Sequence, residues 1–147
     1  MPTDTLFSLC NAAVLPAWLL LMILPRWRGT RLIVHAIWIP LVFTGLYVLM
    51  LATGDTPEGA GFGSLDAVMR LFTVPEAVLA GWIHYLAFDL FVGAWEVRDA
   101  GRRGIHHLLV VPCLFFTFMF GPVGLALYSL LRLVLRRTAS LDEVAAP

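Results

Sequence analysis

Apolar residues run along this chain in four long blocks, set apart by short polar stretches. Residues 5–25 carry no charge. At about 1.5 Å of rise per residue, that block is long enough to cross a hydrocarbon layer roughly 30 Å thick. Residues 32–54, 71–97 and 108–131 form the other three blocks. The pattern predicts an all-α polytopic membrane protein, a four-helix transmembrane bundle with helices over about 5–25, 32–54, 72–97 and 105–134. Residues 1–137 then make one transmembrane domain, and 138–147 a flexible C-terminal tail.

Prolines and glycines mark where these helices bend. Pro16 falls inside the first block and Pro40 near the middle of the second; each lacks an N–H and crowds the turn before it. Asn11, close upstream of Pro16, is placed to bond a neighbouring helix or the backbone that proline loosens. Pro112 and the pair Gly121-Pro122 interrupt the last block. One kinked helix is the simplest reading there, and a break into two near Gly121 is the alternative. The connector 55–70 holds Gly59, Gly61 and Gly63, which oppose a stable helix, although Ser64-Leu65-Asp66 can start a short interfacial turn. Pro75 suits a first helical turn, with Thr73 as cap and Glu76 on the favourable end of the dipole.

Composition agrees with the pattern. The chain is 60% hydrophobic and 14% charged, where soluble domains carry about a quarter charged residues. Basic and acidic residues balance at ten each, and the basic ones, all arginines, sit at helix ends rather than in a stripe. No nucleic-acid partner is expected. Arg26, Arg28, Arg31, Arg98, Arg102 and Arg103 fall on one side of a four-span chain and Arg70, Arg132, Arg136 and Arg137 on the other, which favours an outside N-terminus. The acidic leader MPTD is expected to be neither a signal nor a transit peptide. An integral protein of a prokaryotic inner membrane is therefore expected. Cys10 and Cys113 lie within apolar blocks without metal-knuckle spacing.

The third block, LFTVPEAVLAGWIHYLAFDLFVGAWEV, carries the chemistry. It holds Glu76, His84, Asp89 and Glu96, and ionisable groups in a membrane segment mark function by default. On a helix turning about 100° per residue, Trp82, Tyr85, Asp89 and Glu96 share one stripe, while Glu76 and His84 project elsewhere. Three readings stand: a packed, hydrogen-bonded carboxyl; acid–base work on a lipophilic substrate; or a metal or haem site. The last lacks any E-x-x-H or H-x-x-x-H pair, so no metal or cofactor is expected. His106 and His107 diverge on a helix, and the phenylalanines around Phe116 cover several faces. A homo-oligomer is allowed, and alternating-access transport would require one, since no inverted repeat is visible.

The strings FSLCNAAVLPAWLLL, FTVPEAVLAGWIHYLAFDLFVGAWEVRDA and HHLLVVPCLFFTFMFGPVGLALYSLLR together resemble the abscisic-acid-deficient-4-like family. These are small, four-helix membrane proteins that include the plant chloroplast protein required for neoxanthin synthesis. The resemblance covers residues 6–132 apart from the Gly-rich connector. It implies a carotenoid or similar lipophilic partner alongside membrane lipids, and an isomerisation in which an acid protonates an epoxide oxygen while a base removes a polyene proton. No redox cofactor is needed. Asp89 is the preferred acid, with Glu76, Glu96 or His84 as base. Asn11, Trp82, Tyr85, His107 and Phe116 are the expected substrate-binding positions.

Overall fold

The computed structural model describes residues 2–141, and among them it is all helix. Seven helices follow one another: α1 (Thr3–Ile23), α2 (Arg28–Ile33), α3 (Trp38–Thr53), α4 (Leu65–Leu71), α5 (Pro75–Arg102), α6 (His107–Phe120) and α7 (Pro122–Arg136). Three segments are long and apolar enough to cross a membrane, Thr3–Ile23, Arg28–Thr53 and Pro75–Arg102. Of the four spanning helices expected, three segments have that length and composition, and the last block forms a pair of shorter helices.

Local chemistry explains the breaks. The second block is interrupted at 34–37, between α2 and α3. Pro40 falls in the first turn of α3, where its missing N–H costs nothing; an uninterrupted helix would drive its ring into the carbonyl four residues earlier. In the connector, Ser64 caps α4 by accepting from the Ala67 N–H at 3.2 Å, so the short turn expected there is a real helix. α5 begins at Pro75, as expected. Thr73 is not turned towards it: its hydroxyl donates to the Arg70 carbonyl at 2.7 Å.

α5 also runs five residues beyond the expected end at Val97. The residues after 97, beyond the expected helix, instead supply its last turn. Gly104, at φ 62°, ends it in a left-handed cap, with Ile105 N–H donating to Ala100 O at 2.9 Å.

The last block is not one kinked helix. Gly121 adopts φ 44°, ψ −92°, a conformation open to glycine alone at little cost, and it separates α6 from α7. Pro122 then opens α7, where a proline is pre-organised for a helix start. The tail expected to be flexible begins in contact, with the Arg132 guanidinium donating to the Ser140 carbonyl; residues 142–147 lie outside the described residues.

The chain forms two compact units. The first comprises the residues up to Val14 and Ile37–Ala87, that is, the start of α1, then α3, α4 and the first half of α5. The second comprises Leu15–Ala36 and the chain from Phe88 onwards. Its centre is sealed by Leu21, Val110, Leu114 and Tyr128, each 0% exposed. In this unit the chain order of the contacts sets the direction of the helices. Gly121 meets Asp89, Tyr128 meets Asp99, and Arg136 meets Gly104. Hence α7 runs parallel to the second half of α5, and α6 returns antiparallel to both. Gly124 lets the two arms of this hairpin touch, since a Cβ there would fall 2.0 Å from the Thr117 backbone nitrogen.

Candidate functional site

In the first unit, the polar residues of α5 serve an aromatic cluster. Trp82 Nε1 donates to Asn11 Oδ1 at 3.0 Å, and Asn11 Nδ2 donates to the Phe7 carbonyl one turn back, also at 3.0 Å. The amide oxygen thus joins α1 to α5, while its nitrogen is tied back within α1. The Phe7 ring lies 5.5 Å from that of Trp82, and Trp82 stacks on Tyr85 at 5.2 Å. Trp82 nevertheless remains 37% exposed. His84 is exposed and faces the Tyr47 ring at 6.0 Å. Glu76 lies in the first turn of α5, as expected, with its side chain against Gly54. So Asn11, Trp82 and Tyr85 come together, whereas Glu76 and His84 occupy separate places.

The carboxylates of the second half of α5 turn inward. Asp89, at mid-helix and half-buried, lies so close to Gly121 that a Cβ there would sit 2.8 Å from Asp89 Oδ1. Gly121 is the N-cap of α7, and a helix N-terminus is a favourable place for negative charge. This gives Asp89 a structural account that the sequence does not offer. Glu96 is 0% exposed. Its Oε1 accepts from the Thr117 hydroxyl at 2.9 Å, and its Oε2 is buried with no hydrogen-bond partner among the described residues.

One turn further on, Asp99 is 1% exposed and carries the densest polar network. Arg103 Nε donates to Oδ1 at 2.9 Å, and Tyr128 donates its hydroxyl to Oδ2 at 2.6 Å. Arg132 Nε stands 2.9 Å from Oδ2; that contact is ionic in distance without hydrogen-bond alignment. The Arg132 guanidinium also covers the Trp95 ring at 5.4 Å, and Trp95 meets Tyr128 edge-on at 5.4 Å. A buried ion cluster of this kind costs about 3–5 kcal/mol to break from one side, because the abandoned charge stays buried. Tyr128 and Arg132 are the residues sequence reasoning misses as a site. The signal is present in the spacing: 96, 99 and 103 share a face once α5 is continued, as do 128 and 132.

His107 belongs to a different neighbourhood. Its Nε2 lies 2.9 Å from the Met22 carbonyl, which can only accept, so that nitrogen carries the proton. His107 lines a cavity of about 500 Å³ with Arg26, Arg31, His35 and Arg98. Phe116 packs among Phe115 and Phe120, at ring distances of 5.5 and 6.2 Å. Cys10 and Cys113 are buried free thiols. Among the described residues no three His, Cys, Asp or Glu side chains converge as a metal site.

The comparisons with known proteins bear on this arrangement. The family described as ABA DEFICIENT 4-like matches residues 5–128, a range that includes Asp89, Glu96, Asp99, Thr117 and Tyr128. Protein ABA DEFICIENT 4, chloroplastic, from Arabidopsis thaliana is 26% identical over 132 residues, covering 83% of this chain and 58% of the relative. The chain therefore spans somewhat over half the length of that relative. No solved structure matches it. A match over most of the helical chain is enough to place it: the chain belongs to the ABA DEFICIENT 4-like family.

Proposed function

We propose that this protein modifies a carotenoid-like polyene within the membrane by acid–base isomerisation, with Asp89 as the reacting group. The family is implicated in carotenoid and neoxanthin biosynthesis. The observation that carries the reading is the contrast in access among the carboxyls of the second unit. Asp89 is half-buried at the middle of a membrane-length helix, while Glu96 and Asp99 are sealed. Of the three only Asp89 retains partial exposure as a residue, although its Oδ2 atom is itself buried.

The chemistry asks little beyond a carboxyl. A proton passes to the epoxide oxygen and one carbon–oxygen bond breaks. A vinylic proton leaves, and its bonding electrons complete the allene. One proton enters and one departs, so no electron donor or acceptor is required. After giving its proton to the epoxide oxygen, the Asp89 carboxylate is the base that receives the vinylic proton. Glu96, two turns further along α5, is bonded to Thr117 and sealed from a substrate. Arg98, Arg102 and Arg103 at the far end of α5 favour a membrane placement with the N-terminus outside.

The test is the pigment profile of cells making the protein while supplied with 5,6-epoxy carotenoids and related polyenes. Wild type is expected to produce an isomer of unchanged mass, and Asp89→Asn to lower the yield at least about a hundredfold. An unchanged profile with wild type sinks the enzymatic reading. A second reading is favoured by the seat of Asp89 at the start of α7: a non-catalytic pigment-binding scaffold. Co-purified pigment retained by Asp89→Asn, with no turnover in either protein, supports that one.

A further inference from the structure

We infer that the cavity at the end of α5 in the second unit is a binding site for a phosphate-bearing anion. Its cationic lining converges from separate segments: Arg26 from the turn after α1, Arg31 and His35 from α2 and its exit, Arg98 from α5 and His107 from α6. No acidic side chain is among the lining residues. Arg103 and Arg132 in the same unit, by contrast, are matched by Asp99. Arg26 and Arg31 have no ion pair among the described residues. Two unmatched guanidinium groups at the mouth of a cavity of about 500 Å³ repel each other unless an anion joins them.

The interior of the cavity is pre-arranged. Arg98 Nη1 lies 3.2 Å from His35 Nδ1. A guanidinium only donates, so that histidine nitrogen accepts and the ring carries its proton on Nε2. His107 is fixed by its bond to the Met22 carbonyl. The guanidinium fork matches two oxygens of a phosphate at once, which an ammonium or imidazole cannot do. Val97, Ala100 and Ile105 add an apolar wall, and the cavity lies where α1 and α5, both long enough to span, come to their ends. A phosphate group is the chemistry this recognises, whether it comes as a lipid headgroup or as free phosphate. The inference stands apart from the reaction proposed at Asp89.

The experiment titrates the full chain, purified in neutral detergent, with dioleoylphosphatidylglycerol, dioleoylphosphatidylcholine and inorganic phosphate, counting bound species by native mass spectrometry. Phosphatidylglycerol is expected to bind about tenfold more tightly than phosphatidylcholine. The double variant Arg26→Gln/Arg31→Gln should reduce that preference to within about twofold, while Arg102→Gln, exposed and outside the lining, keeps it. Millimolar phosphate that displaces the lipid assigns recognition to the phosphate group alone; lipid that phosphate cannot displace assigns it to the headgroup with its apolar wall. Equal binding of the two lipids together with no phosphate binding overturns the inference, as does a preference the double variant retains. Should the double variant not fold, the two single variants carry the same comparison, since both side chains are exposed.

Discussion

The two halves of α5 carry the same kind of signal in sequence, ionisable groups in an apolar helix, and treat it in opposite ways. Up to Ala87, His84 stays exposed and Trp82 partly so. The polar work there falls to an uncharged pair, Asn11 and Trp82. From Phe88 onwards, Glu96 and Asp99 are drawn fully inside. The difference lies in what packs alongside. The second half has a hairpin that offers a helix N-terminus at Gly121, a hydroxyl at Thr117 and a guanidinium at Arg132. A carboxyl goes inward only where donors meet it.

Variants test how far this contrast goes. The largest expected loss is from Asp99→Ala, which strands Arg103, Arg132 and Tyr128 in the interior. It should destabilise the fold by about 3–5 kcal/mol, read as an earlier midpoint in detergent unfolding; a loss below about 1 kcal/mol would break the contrast. Next comes Gly121→Ala, where a positive φ and a Cβ 2.8 Å from Asp89 Oδ1 coincide. A cost of about 1–3 kcal/mol is expected in the same measurement, with reduced pigment conversion because Asp89 must move. In the first half, Trp82→Phe keeps the ring contacts and loses one hydrogen bond, for about 1 kcal/mol. The smallest effect belongs to His84→Gln, exposed on its face of the helix: neither unfolding midpoint nor pigment profile should change, and a fall in conversion would return His84 to the reaction.

Much of the fold is legible in the sequence because apolar length and helix punctuation are local. The uncharged first block, Pro75 at the head of α5 and Glu76 in its first turn all follow from residues within a few positions of each other. Asn11 as a link to another helix follows from one amide in an apolar run. The remainder depends on distant partners. The stretch 98–104 reads as solvent loop while its arginines are counted one by one; only against Tyr128 and Arg132 does Asp99 become the hub of an interior cluster. Likewise Pro112 and Gly121-Pro122 both signal a weak point, and sequence cannot weigh them. α6 runs on through Pro112, and the chain reverses at Gly121, where glycine can take the required φ.

That reversal has a consequence for sidedness. α6 has 14 residues and α7 has 15, each about 21–23 Å long, too short to cross alone. The tip at Gly121 reaches Asp89, at the middle of α5, and Arg136 comes back beside Gly104. A hairpin that dips in and returns adds no crossing, and non-spanning backbone at that depth is tolerated when protein covers it. Within the second unit, then, the start of α6 at His107 and the end of α7 at Arg136 come out together, on the side where α5 ends.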